Sequence, residues 1–192
     1  MKIIKIDPAT YHYHPMTIAG VRRDLPVCKV NDKLYIGAFV IFGDIELTTA
    51  CAEELCKRLP EHDVMITAEA KGIPLITEMA RIVNAKKHIV ARKGPKLYMK
   101  DPVGVTVHSI TTAKQQVLYL DKNDLDFMAG KRVVIVDDVI STGESLHALE
   151  QLVDRAGGNI VGRMAVLAEG DAAGRTDITY LEELPLFVPE EN

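Results

Sequence analysis

Residues 133–145 read VVIVDDVISTGES. Four β-branched apolar residues run straight into two adjacent carboxylates, Asp137 and Asp138, and a short hydroxyl-rich turn follows. No polar residue interrupts the apolar run. A strand of this kind must be covered on both faces, so KRVVIVD (131–137) belongs at the centre of a sheet. Ser141, Thr142, Gly143, Glu144 and Ser145 then open a helix, whose apolar residues Leu146, Leu149 and Val153 line one face before Gly157-Gly158 ends it.

The same rhythm runs through the second half of the chain. HDVMITA (62–68) predicts a strand, followed by a helix in which Ile76, Met79, Ala80 and Val83 repeat at helical spacing. KKHIVA (86–91) and VLYL (117–120) predict two more strands, separated by a stretch rich in Lys, Gly, Pro and Thr. NIVGRMAVLA (159–168) predicts another. Strands alternating with helices imply an α/β fold with a doubly wound parallel sheet. The first 45 residues break the pattern. VCKVNDKLYIGAFVIF reads as two β segments around Asn31-Asp32, a hairpin, before a helix over 46–59 returns the chain to the core. The expected picture is therefore a core with a small N-terminal lobe, joined by C-terminal residues.

Composition narrows the functional classes. The chain has 192 residues, 47% of them hydrophobic, enough to bury a full core in one domain. A net charge of −4 argues against a general nucleic-acid binder. No apolar run is long enough for a membrane span and the N-terminus has no signal-peptide pattern, so the expected location is cytoplasmic. Cys28, Cys51 and Cys56 form no C-x-x-C pair and are read as buried, reduced thiols.

In a doubly wound sheet, ligands collect at the carboxyl ends of the strands, which is where Asp137 and Asp138 should lie. The helix N-terminus beside them is an anion site, with hydroxyls from Ser141, Thr142 and Ser145 and a close backbone approach at Gly143. Two carboxylates would repel a phosphate, so they suit vicinal sugar hydroxyls or a magnesium ion held through them. Three other readings compete. A Walker B strand needs a G-x-x-x-x-G-K-[ST] loop, which Gly130-Lys131-Arg132 does not supply. A dinucleotide site needs G-x-G-x-x-G, and no two glycines are spaced as G-x-G. A plain helix cap by Ser141 or Thr142 is the third.

The whole of VVIVDDVISTGES resembles the phosphoribosyl-pyrophosphate (PRPP) signature of the type I phosphoribosyltransferases: four apolar residues, two acids, two apolar residues, two hydroxyl residues, Gly, any residue, then Ser or Thr. The resemblance covers roughly residues 45–170. It implies a PRPP-binding core over 46–170, a hood over 1–45 and a C-terminal extension over 171–192. It also implies that Asp137 and Asp138 contact ribose hydroxyls, while Ser141, Thr142, Gly143, Glu144 and Ser145 hold the 5′-phosphate.

Other segments resemble purine enzymes of the family. TAEAKGIPL (67–75) is similar to the pyrophosphate loop E-A-R-G of adenine phosphoribosyltransferases, with Lys71 where Arg is usual; Ala70, Lys71 and Gly72 are its candidates. ARKGPKLYMK (91–100) resembles the R-K-x-x-K-L segment, adding Arg92, Lys93 and Lys96, with Arg92 counted beside the two acids as catalytic. DPVGVTVHSITTAKQQ (101–116) resembles a mobile flap, yet residues 97–116 hold no Glu, unlike the adenine enzymes; Asp101 and His108 are the nearby substitutes. VRRDLP (21–26) resembles the hood's F-R-D-I stretch and nominates Arg23, Asp24 and Leu25 for the base. Glu169, in EGDAAGR, is a further candidate near the base. The histidines of YHYHP (11–15) lack a third ligand, so a metal held directly by the protein is not expected.

The resemblance implies an enzyme making AMP and pyrophosphate from adenine and PRPP, with magnesium bound alongside PRPP and a homodimeric state. Xanthine or another oxopurine is the alternative substrate. A non-catalytic PRPP-binding regulator is the alternative class.

Overall fold

The structure is a computed structural model, and it describes residues 1–107 and 116–190. In chain order the strands and helices are β1 (Ile3–Ile6), β2 (Tyr13–Ile18), β3 (Val21–Asn31), β4 (Leu34–Gly37), α1 (Ile45–Cys56), β5 (Val64–Ala68), α2 (Gly72–Ile82), β6 (Ile89–Ala91), β7 (Val103–Val107), β8 (Gln116–Leu120), α3 (Lys122–Met128), β9 (Arg132–Ile140), α4 (Glu144–Arg155), β10 (Asn159–Glu169), β11 (Thr179–Leu184) and β12 (Leu186–Pro189). A 3-10 turn, Gly170–Gly174, follows β10.

Five strands form a parallel sheet in the order β11-β10-β9-β5-β6, so β9 is central as its apolar run requires. Its side chains divide between two cores. Val133 and Ile135 pack on one face with Leu149 and Val153 of α4 and Leu118 of β8. Val134 and Val136 pack on the other with Leu47 and Leu55 of α1 and Leu75 and Met79 of α2. All four are at most 1% exposed. Burying side chains of this size is worth roughly 1.5–3 kcal/mol each, so β9 is the strand the two layers share.

The helix ends follow local chemistry. Asp44 caps α1 by accepting from the Leu47 N–H at 3.1 Å. At the end of α4, Gly157 adopts φ +70° and donates to the Asp154 carbonyl, while Gly158 donates to that of Val153. This is the Schellman pattern that Gly157-Gly158 predicts.

The N-terminal lobe is a second sheet, β1-β12-β4-β3-β2, in which β12 returns from the C-terminus to lie between β1 and β4. The expected hairpin is β3–β4. Asn31 pairs with Leu34, so its tip is Asp32-Lys33, and the second strand stops at Gly37 instead of continuing through the apolar residues 38–42. Those residues instead lead into α1, with Phe39 and Ile41 buried against its core face.

Several expectations need correction. VLYL (117–120) is a strand but not part of the parallel sheet: it pairs antiparallel with β7, while Leu118 and Leu120 pack into the main core and a bridge joins Tyr119 to Arg92. Val83 is 37% exposed because α2 stops at Ile82. Cys51 is buried, but Cys28 is exposed because the outer end of β3 extends beyond the core.

Because β9 supports both cores, Ile135→Ala should lower unfolding free energy by about 2–5 kcal/mol, measured by chemical denaturation.

Candidate active site

The register of β9 brings its acids out beyond the reach of β5. The ladder between them pairs Val64 with Val133, Met65 with Val134 and Ile66 with Ile135. Beyond it, Asp137 and Asp138 face the turn that joins β5 to α2, with β9 itself running on to Ile140 beside β10. The carboxylates are therefore close to the strand's carboxyl end and not its last residues.

Asp138 is 4% exposed, and its Oδ2 forms an ion pair with Nζ of Lys71, the residue at the start of α2. Asp137 accepts from the Asp138 backbone N–H at 2.9 Å. Burial, followed by the adjacent Asp138 charge, raises the Asp137 pKa well above the usual carboxylate range, while Lys71 acts in the opposite direction. Glu169, at the end of β10, is also raised by burial and also feels the Lys71 charge. Lys71 thus stands among three carboxyl groups contributed by two strands.

Gly72 makes this arrangement possible. A β-carbon there would stand 2.1 Å from the Thr67 hydroxyl and 3.6 Å from Oδ1 of Asp137. No side chain fits between the end of β5 and the start of α2. The Thr67 hydroxyl is fully buried and has no hydrogen-bond partner among the described residues.

The same turn carries Glu69, joined to the exposed Ala70 by a cis peptide bond. Glu69 takes bonds from Nε and Nη2 of Arg92 at 3.2 and 3.3 Å and from the Lys93 N–H at 2.9 Å. Those contacts, the Lys93 backbone bond foremost, hold its carboxyl below the ordinary range; Lys96 contributes through its charge. Arg92 also donates to the Tyr98 hydroxyl at 2.9 Å and exchanges backbone bonds with Tyr119. Lys71, Arg92, Lys93 and Lys96 therefore flank one turn.

Just beyond the same end of β9, the helix cap is neither Ser141 nor Thr142. Gly143 occupies it in the left-handed region (φ +80°) and has no side chain to bond the start of α4. A hollow of about 230 Å³ of empty space opens here, lined by Asp137, Ser141, Thr142, Gly143, Glu144 and Ser145. Acids and an uncapped helix N-terminus share one wall, which suits a ligand with hydroxyls at one end and an anion at the other.

The hood candidates divide. Arg23 donates from Nε and Nη2 to Asp44 at 2.7 and 2.9 Å and from Nη2 to Glu46 at 2.7 Å, clamping β3 to the start of α1. Asp24 is exposed opposite Pro15. Leu25 is 4% exposed and packs in the core, so its side chain does not line the surface of the hood. Asp101 is exposed ahead of β7; His108 lies outside the described residues. His14 bonds to the Tyr11 hydroxyl and packs edge-on against Phe187. Among the described residues no group of three His, Cys, Asp or Glu side chains could hold a metal. Sequence reasoning missed Glu69 as an anchor and Thr67, although both stand in the quoted TAEAKGIPL segment.

The doubly wound core thus carries an acid pair just ahead of a helix that starts at a glycine cap. Residues 46–184 match the model of the phosphoribosyl transferase domain, and the chain belongs to that family of enzymes. It is 34% identical over 135 residues to a hypoxanthine/guanine phosphoribosyltransferase of Methanosphaerula palustris, covering 70% of each chain. It is 32% identical over 164 residues to an adenine phosphoribosyltransferase of Petrotoga mobilis, covering 80% of this chain and 82% of the relative. The fold is similar to that of adenine phosphoribosyltransferases from Thermoanaerobacter pseudethanolicus (TM-score 0.63, 24% identity, 74% of this chain and 84% of that one) and Rhodothermus marinus (TM-score 0.62, 20% identity, 90% and 94%).

A carboxyl whose folded pKa is raised stabilises the fold below its unfolded pKa, and loses that contribution as pH rises through the folded value. Asp137→Asn stays neutral and keeps the acceptor for the Asp138 N–H. Its stability relative to the parent should therefore rise between about pH 4, the ordinary carboxylate range, and about 8, the raised Asp137 pKa, in paired denaturation curves.

Proposed function

We propose that this enzyme is a purine phosphoribosyltransferase that joins adenine to PRPP, giving AMP and pyrophosphate. The observation that carries the reading is the wall on which Asp137 meets the 141–145 turn and the Gly143-capped helix, with Asp138 paired to Lys71 and Arg92 held by Glu69 in the neighbouring turn. The ribose hydroxyls meet the two acids: Asp137, whose pKa burial raises, and Asp138, which is paired with Lys71. The 141–145 turn takes the 5′-phosphate on backbone N–H groups and hydroxyls.

The base attacks C1′ and pyrophosphate departs, so positive charge grows on the ribose ring and negative charge on the leaving group. Lys71, Arg92, Lys93 and Lys96 stabilise the leaving group, and the Glu69 fork holds Arg92 in position before substrate arrives. Arg23 and Asp24 contribute to the hood around the base, and the purine N–H proton leaves to solvent or a backbone group. Magnesium would arrive on the PRPP diphosphate, whose oxygens and bound water would supply its ligands. Such an ion neutralises the diphosphate charge.

A homodimer is supported by Val40, Phe42 and Ile45, which are 57%, 50% and 80% exposed on one short segment. No helix among the described residues is long and apolar enough to cross a membrane, in keeping with the cytoplasmic location we assign. The acidic balance disfavours nucleic acid as a partner.

An oxopurine is the second reading. It is favoured by the absence of Glu from 97–116 and by the hypoxanthine/guanine relative. Incubation with PRPP, magnesium and adenine, hypoxanthine, guanine or xanthine in turn separates the two, with AMP the expected product. Tight PRPP binding without any nucleotide formed would make the protein a regulator.

Within the enzyme reading, Asp138→Asn should weaken PRPP binding about tenfold or more by calorimetry, the usual effect of losing a charged hydrogen bond. Arg92→Ala should lower kcat/KM by a similar or larger factor, whereas Asp101→Ala should retain turnover. Near-normal kinetics of Arg92→Ala would refute its role at the pyrophosphate.

A further inference from the structure

Arg175 directly follows the 3-10 turn that closes β10. Asp177 grips one edge of its guanidinium: Nε donates to Oδ1 at 2.9 Å and Nη2 to Oδ2 at 2.6 Å. Asp177 in turn lies 3.8 Å from Nε of Arg163, which is paired with Glu150 of α4. The fork fixes the plane of the guanidinium. Nη1, which the fork does not use, points at the 141–145 turn, and a β-carbon on Gly143 would stand 3.2 Å from it.

The N-terminus of a helix carries partial positive charge, and the cap residue Gly143 brings no side chain to the start of α4. Arg175 Nη1, the edge of the guanidinium that the Asp177 fork leaves over, and the backbone N–H groups of the turn can converge on one anion seated beside Gly143. The Arg175 side chain is 36% exposed. Gly143 keeps the space between them open: its backbone is left-handed, and any side chain would fill the gap.

We propose that Arg175 is a further phosphate-binding residue, its Nη1 donating to an oxygen of the 5′-phosphate that the 141–145 turn holds. Asp177 is its positioning residue, and the cation completes the phosphate site from the β10 side, opposite the helix. The inference rests on the reading of 141–145 as the 5′-phosphate turn.

The test compares affinities for nucleotide and nucleoside, AMP against adenosine and GMP against guanosine, in the parent, Arg175→Gln, Arg175→Lys and Asp177→Asn. Arg175→Gln should lose about tenfold or more of the nucleotide affinity, raise KM for PRPP by a similar factor, and leave nucleoside affinity unchanged. Arg175→Lys should recover part of the loss, since charge remains but the fork onto Asp177 does not. Asp177→Asn should fall between the parent and Arg175→Gln. Equal losses for nucleotide and nucleoside would assign Arg175 a structural role and overturn the proposal. An unchanged nucleotide-to-nucleoside ratio in Arg175→Gln would overturn it as well; if that variant fails to fold, an unchanged ratio in Arg175→Lys does so instead. A parent protein that binds nucleotide no better than nucleoside would remove the 5′-phosphate reading itself, and Arg175 with it. A parent that does discriminate, beside an Arg175→Gln that still does, would remove Arg175 alone.

Discussion

The burial of β9 on both faces is the constraint from which the site follows. Val133 to Val136 supply side chains alternately to the two cores, so the strand can neither slide nor rotate without exposing two of them. A slip of one residue would exchange the faces and carry Asp137 or Asp138 into the apolar layer. The acids are therefore held in position by the packing of their four predecessors. The start of α4 is fixed by the same register, and the distance between acids and helix N-terminus is set by the five residues from Val139 to Gly143.

Electrostatics within that frame are balanced locally. Lys71 pairs with Asp138 and acts on Asp137 and Glu169, while Glu69 is met by Arg92 and the Lys93 N–H. Each cation that the proposed mechanism gives to the pyrophosphate at Lys71 and Arg92 thus has a carboxylate partner before substrate arrives. Such pairing limits the cost of holding charge in a partly closed cleft and keeps the side chains aimed, at the expense of some attraction for the ligand. Lys71 in place of the arginine found in related loops fits this role. A compact ammonium can share itself among three carboxyl groups, where a planar fork would commit to one.

Whatever depends on local chemistry was legible in the sequence. The central strand, the helix after it, the Gly157-Gly158 ending and the hydroxyl-rich turn all came from spacing and residue type, and the structure has each of them. Long-range pairing was not legible. VLYL has the pattern of a core strand, but its partner is β7, and nothing in four residues distinguishes a flap arm from a sheet strand. The Lys71–Asp138 pair joins residues 67 apart, and the Glu69–Arg92 fork spans 23. Leu25 matched a motif by position, yet side-chain direction along β3 depends on pleat phase, which turned it into the core. Cys28 followed a compositional rule for cysteine that the projecting end of β3 breaks.

The division between sheets also bears on why relatives with different bases share this site. The matched family region begins at residue 46, after the four strands of the N-terminal lobe. Ribose and phosphate recognition, as proposed, is built from β5, β9 and the helices they launch, and every enzyme using the same sugar donor can keep it. The base is a separate problem, which the proposed reading assigns to the N-terminal lobe. Arg23 joins β3 to Asp44 and Glu46 at the start of α1, and β12 threads between β1 and β4 after leaving the parallel sheet through β11. On that reading, substitutions on the solvent side of the lobe can alter base choice while leaving β9 in register, because only inward residues such as Ile18 and Leu25 pack with the core that holds Val134 and Val136. Adenine and hypoxanthine/guanine enzymes at similar identity to one chain are what such an architecture produces. The proposed donor site is tied to the core that folds the protein, and the proposed acceptor site to the lobe that the core carries.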